Sequence, residues 1–112
     1  MDIKEYQEKS KRTVNKELSK NEVLGNMGLG LTGEAGEVAD IIKKHLYQGH
    51  DLVVDDIKDE LGDVMWYIAN LCSACDLELE DVLEYNVKKL QKRFPDGFTE
   101  EDSINREEAN NE

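Results

Sequence analysis

Apolar residues recur along most of this chain at spacings of three and four, and almost nowhere at a spacing of two. That is the period of helix faces rather than of strands. Residues 2–19 read as a first helix, with Asp2 as N-cap and Glu5 at capping-box distance. Its apolar positions, Ile3, Tyr6, Val14 and Leu18, are sparse. Residues 21–48 read as a second helix, starting at an Asn21 cap and stopping near Gly49. Leu24, Met27, Leu31, Ala35, Val38, Ile42 and Leu46 form its long stripe. A third helix over 54–74 carries Ile57, Leu61, Val64, Ile68, Leu71 and Cys75 as its stripe. A fourth over 78–93 turns Leu79, Val82, Leu83, Val87, Leu90 and Phe94 inward, and Pro95-Asp96-Gly97 ends it. Leu52-Val53-Val54 is β-like but too short to seed a sheet. The pattern predicts an all-α protein.

Glycines complicate the second helix. Gly25, Gly28, Gly30, Gly33 and Gly36 each weaken it by roughly 1 kcal/mol relative to alanine. They imply a kink or break before Thr32, or else close approach of another backbone or a ligand. Both readings stay open here. From Thr99 the chain turns polar and acidic and is expected to fray, with 105–112 disordered. The expected division is a domain over 1–98 and a tail over 99–112.

Composition narrows the possibilities. A chain of 112 residues suits one domain, and 38% hydrophobic against 36% charged leaves a lean core. Lean cores of this size are often completed by oligomerisation. The net charge of -12 argues against nucleic acid and anionic membranes as partners, since both call for a basic face. No stretch is long and apolar enough to span a bilayer, and the first ten residues are no signal peptide, so a cytoplasmic location is expected. Two cysteines cannot make a disulfide framework.

The candidate chemistry lies between residues 33 and 63. Glu34-x-x-Glu37 and Glu60-x-x-Asp63 each place two carboxylates on one side of a helix, one turn apart. On a helical wheel Glu34 falls roughly 50° and Glu37 roughly 110° from the apolar stripe centred on Leu31 and Val38. Glu60 and Asp63 take the same offsets from Ile57 and Val64. Antiparallel packing across the short turn lets the two edges converge. Four unneutralised carboxylates repel one another. Oxygen ligands with no His or Cys nearby suit Mg²⁺ or Mn²⁺ better than zinc. The plainer reading leaves Glu37 and Asp63 as solvated boundary residues.

On the fourth helix Asn86, Lys89 and Arg93 share one side. Two cations beside a metal nest fit a triphosphate; alone they are a basic strip facing solvent. Other candidates are weaker. Cys72 and Cys75 both point to the apolar side, and the acids Asp76 and Glu78 disfavour their thiolates, so they read as core cysteines. His45 and His50 have no zinc spacing. Gly25-x-x-Gly28-x-Gly30 has no preceding strand and is no dinucleotide fingerprint. Trp66 lies opposite the stripe of its helix, which fits a subunit interface or, less well, a base-stacking surface. Lys4, Lys9, Lys11, Arg12 and Lys16 read as a solvated face from which one cation could reach a bound phosphate. Ser10 and Thr13 have no His partner to act as nucleophiles.

Three blocks together carry a resemblance. Gly33-Glu-Ala-Gly-Glu-Val38, Glu60-Leu-Gly-Asp-Val-Met-Trp-Tyr67 and Asn86-Val-Lys-Lys-Leu-Gln-Lys-Arg-Phe-Pro-Asp-Gly-Phe98 resemble the MazG-like all-α nucleoside triphosphate pyrophosphohydrolases, small single-domain members in particular. The resemblance implies a four-helix bundle completed as a homodimer, or as a homotetramer of two dimers. It implies Mg²⁺-dependent hydrolysis of a nucleoside triphosphate to the monophosphate and pyrophosphate. By matched position it implies Glu34, Glu37, Glu60 and Asp63 as metal ligands, and Asn86, Lys89 and Arg93 as contacts to the nucleotide. One departure is Gly33, where many members carry a further glutamate. Rival expectations are a same-fold hydrolase of another substrate such as phosphoribosyl-ATP, and a non-catalytic acidic helical protein. A carboxylate-bridged di-iron bundle ranks last, because it wants Glu-x-x-His pairs.

Overall fold

The computed structural model describes residues 1–106 of the chain. Among these residues the elements follow in the order α1 (Ile3–Ser10), 3₁₀ turn (Lys11–Thr13), α2 (Lys20–Tyr47), α3 (Val54–Ala74), α4 (Leu79–Arg93) and α5 (Glu100–Ile104). No strand occurs among the described residues; an isolated bridge joins Pro95 and Gly97. The fold is all-α.

Local chemistry sets the ends. The Asp2 carboxylate accepts the Glu5 N–H at 2.8 Å and caps α1. The predicted first helix stops early, at Ser10. The Asn15 side chain instead accepts the Glu17 N–H at 3.0 Å and holds a turn. Ser19 and Glu22 then form a reciprocal capping box, at 3.2 and 3.0 Å, which starts α2 at Lys20 rather than at an Asn21 cap. α2 runs unbroken for 28 residues, about 42 Å, straight through its glycines. Gly49, at φ 73°, turns the chain out of α2. α3 matches its predicted bounds. It closes on Asp76, which takes φ 57° while the Leu77 N–H returns to the Cys72 carbonyl at 2.8 Å. Within the tail the Thr99 hydroxyl accepts the Asp102 N–H at 3.0 Å and starts α5. Of the expected disorder over 105–112, all but Asn105 and Arg106 lies outside the described residues.

The chain forms two compact units, Met1–Leu79 and a second from Glu80 onward. In the first, α2 and α3 form a long antiparallel hairpin, and α1 packs on α3. Met27, Ala69, Cys72 and Leu79 are its buried apolar residues. Gln7 ties the N-terminus to this core. Its amide donates to Ser73 Oγ (3.0 Å) and the Leu77 carbonyl (2.9 Å), and its carbonyl accepts the Leu79 N–H (2.8 Å). In the second unit Phe94 and Phe98 pack with ring centres 5.6 Å apart, beside an open apolar groove with Val87 and Leu90.

Candidate metal centre

The hairpin sets which carboxylates meet. α2 and α3 run in opposite directions, and the Tyr67 ring packs directly on Gly30. Glu34 is one turn along α2 from Gly30, and Asp63 one turn back along α3 from Tyr67. Glu34 therefore comes level with Glu60 and Asp63. One carboxylate oxygen from each of the three lies within 4.8 Å of the others. Glu34 and Glu60 are half-buried and Asp63 is exposed, so the cluster sits in the seam and opens to solvent. Glu37, one turn further along α2, is exposed and stands outside this group. Next to Glu34, open space surrounds Gly33.

The electrostatics of the cluster are unfavourable without a cation. Glu60 Oε2 is buried and has no hydrogen-bond partner. The Glu60 carboxyl is held above its ordinary value of 4.5. Sharing a hydrogen bond with Glu34 raises it most, loss of water next, and then the charges of Glu34, Asp59 and Asp56. Three grouped carboxylates, one of which carries an orphaned oxygen, with no nitrogen or sulfur donor in the group, fit a hard divalent cation. The open side leaves room for water and phosphate oxygens.

Beyond Asp63 the N-terminal segment borders the site. Trp66, one turn after Asp63, donates its Nε1–H to Thr13 Oγ1 at 2.8 Å and meets Tyr67 edge-on, ring centres 4.9 Å apart. Asn70, one turn further, donates to the Ser10 carbonyl at 3.3 Å. Burial, and then the Asp63 charge, push the Tyr6 phenol up from its ordinary value. Trp66 is thus half-buried and engaged within the subunit, not the open surface its wheel position suggests. The wheel phases one helix; it does not see a 3₁₀ turn 53 residues earlier in the chain.

Other candidates fall as follows. Asn86, Lys89 and Arg93 share one side of α4, in the second unit; Asn86 is exposed, the other two half-buried. Cys72 is buried, but Cys75, at the C-cap of α3, is exposed and is no core cysteine. His45 and His50 are exposed, with His45 Nδ1 2.8 Å from the His50 carbonyl. Sequence reasoning missed Tyr6 and Thr13 as neighbours of the site. The signal for the Gly30–Tyr67 contact was present: a costly helix glycine one turn before Glu34.

The fold and the centre together define a helical-hairpin protein with an oxygen-only carboxylate site. Residues 24–98 match the MazG nucleotide pyrophosphohydrolase domain, and the chain belongs to that family. A curated relative, the Gene 37 protein of Mycobacterium phage L5, is 40% identical over 89 residues, covering 76% of this chain and 78% of the relative. No solved structure gives a significant match. Among the described residues, no helix is long and apolar enough to cross a membrane.

Proposed function

We propose that the protein hydrolyses nucleoside triphosphates, ribo- or deoxyribo-, to the monophosphate and pyrophosphate, with Mg²⁺ (or Mn²⁺) held by Glu34, Glu60 and Asp63. The observation that carries this is the convergence of the Glu34, Glu60 and Asp63 carboxylates in a chain of the pyrophosphohydrolase family. When bound, the ion would offset charge on the phosphate oxygens and make a nearby water a better nucleophile. The three carboxylates orient that region from two helices at once. Glu37, exposed and outside the cluster, is assigned to the fourth carboxylate role, holding the proton of the attacking water or an outer ligand position. Asn86, Lys89 and Arg93 are assigned to the nucleotide's phosphates and sugar, from their motif and their shared side of α4.

We assign the protein to the cytoplasm as a homodimer or a homotetramer of two dimers, with no nucleic-acid or membrane partner. Support for self-association comes from the hairpin, where Leu24, Ile42 and Leu46 of α2 and Leu61 and Met65 of α3 remain exposed.

The test is pyrophosphate release across a panel of NTPs, dNTPs and phosphoribosyl-ATP, with Mg²⁺ and with EDTA. Activity is expected only with the ion, and Glu60→Gln is expected to lower kcat/KM by about a hundredfold or more. Full activity in Glu60→Gln overturns the metal assignment. Preferential turnover of phosphoribosyl-ATP replaces the substrate assignment.

A further inference from the structure

We propose that Arg12, in the 3₁₀ turn, is a phosphate-binding residue of the carboxylate site, positioned by the Thr13–Trp66 hydrogen bond. This rests on the triphosphate hydrolase reading above and adds to it a substrate contact from residues 1–23, which lie outside the matched family domain.

The placement follows from three tethers along α3. Gln7 is bonded to Ser73, Ser10 to Asn70, and Thr13 to Trp66. As the N-terminal segment advances, its partner on α3 moves back towards Asp63. The last tether, at 2.8 Å, joins the 3₁₀ turn to Trp66, which follows Asp63 by about one turn of α3.

The 3₁₀ turn carries two cations, Lys11 and Arg12, and of these Arg12 is the one without an ion pair among the described residues. Lys11 is paired with Glu8 at 2.8 Å. Lys11 and Lys16 also line an open groove of about 350 Å³ with Val14, Val23 and Asn70. Arg12 is exposed and makes no ion pair with a described residue. A guanidinium also has the fitting chemistry. Its forked donors match two phosphate oxygens at once, and its charge is permanent. A triphosphate approaching three carboxylates on a chain of net charge -12 meets repulsion beyond what one divalent ion removes. A fixed cation at the rim offsets it.

The experiment uses the full chain and two readouts. One is steady-state pyrophosphate release. The other is calorimetric binding of a non-hydrolysable α,β-methylene triphosphate in Mg²⁺. Arg12→Gln is expected to weaken binding and raise KM by about tenfold, with Arg12→Lys in between. Lys9→Gln makes the same charge change on exposed α1 and is expected to stay within about twofold. Thr13→Val is expected to raise KM with kcat nearly unchanged, and Thr13→Ser, which keeps the hydroxyl, to restore it. Equal unfolding temperatures for wild type and Arg12→Gln establish that the variant is folded. If Arg12→Gln binds like wild type while Glu60→Gln does not bind, the hydrolase reading stands and this inference falls. An equal loss in Lys9→Gln also overturns it, because the effect is then general charge. If wild type binds no triphosphate, both fall together.

Discussion

The Tyr67 ring lies on the backbone of Gly30 so closely that a methyl group at position 30 would overlap it. That contact sets the register in which Glu34 meets Glu60. In most helix positions glycine to alanine stabilises, by up to about 1 kcal/mol. Here the sign reverses. Gly30→Ala has to displace a half-buried aromatic ring, at a cost of about 1–3 kcal/mol. Gly25→Ala, where nothing lies within 4 Å, is the control and should melt at or above wild type. Paired thermal melts check both signs.

The Glu34–Glu60 confrontation predicts an opposite response in the presence and absence of metal. In EDTA, Glu60→Gln removes a repelling charge and supplies a donor to Glu34, so it should melt above wild type. In Mg²⁺, wild type should gain stability by ion binding, and the variant should gain much less. The pH dependence has a definite sign. Glu60 is raised in the folded state, so its contribution is fully present below the ordinary value of 4.5 and is lost as pH rises through the higher folded value. Metal-free melts of wild type and Glu60→Gln, run from pH 4 upward, should converge at the acid end and separate above it.

Gln7 makes three hydrogen bonds in a buried setting, two as donor and one as acceptor. Gln7→Leu leaves the Leu79 N–H and the Leu77 carbonyl without partners. A loss of about 2–4 kcal/mol in denaturant unfolding is expected. Gln7→Glu keeps the acceptor for Leu79 but loses both donors, and should also destabilise.

The two cysteines should separate by reactivity. Cys75 is exposed, whereas Cys72 is 8% exposed and its thiol is pushed up, chiefly by burial and then by the neighbouring Cys75. Iodoacetamide at neutral pH should add one label quickly, mapped to Cys75 by peptide mass spectrometry. The second should follow only as the hairpin opens.

If the exposed apolar residues of the hairpin pack against a second copy, charge there should separate the copies. Ile42→Glu is expected to shift the protein towards monomer in sedimentation velocity. Val54→Glu, at the exposed start of α3, changes charge at a helix end and tests whether position matters.

Helix content was plain from spacing, and α3 was legible to its ends because Gly49 and Asp76 bracket a strong apolar stripe. α1 was drawn too long. Val14 and Leu18 keep a helical interval from Tyr6, but Ser10, Asn15 and Ser19 make local bonds that compete with helix. The Ser19–Glu22 box has the same signature used to place Asp2 and Glu5, and it marked the true start of α2. The glycines of α2 posed a choice between a break and a close approach; Tyr67 on Gly30 is a close approach, and the helix continues. At the site, a wheel supplies offsets within each helix, whereas the crossing of two helices decides which oxygens meet. That crossing brings Glu34, Glu60 and Asp63 together and leaves Glu37 outside. The neighbourhood of Thr13 and Trp66 depends on contacts more than fifty residues apart, which no local pattern encodes.

The N-terminal segment hangs on α3 by amides and hydroxyls: Gln7 to Ser73, Ser10 to Asn70, Thr13 to Trp66. The Thr13–Trp66 bond is exposed, and water replaces it at modest cost, whereas the Gln7 and Ser10 ends are buried and give way later. The segment therefore behaves as a latch with three catches rather than as part of the hairpin's spine. Hydrogen exchange should find it opening while α2 and α3 remain closed, with the Thr13 end, nearest the carboxylates, free to release on its own.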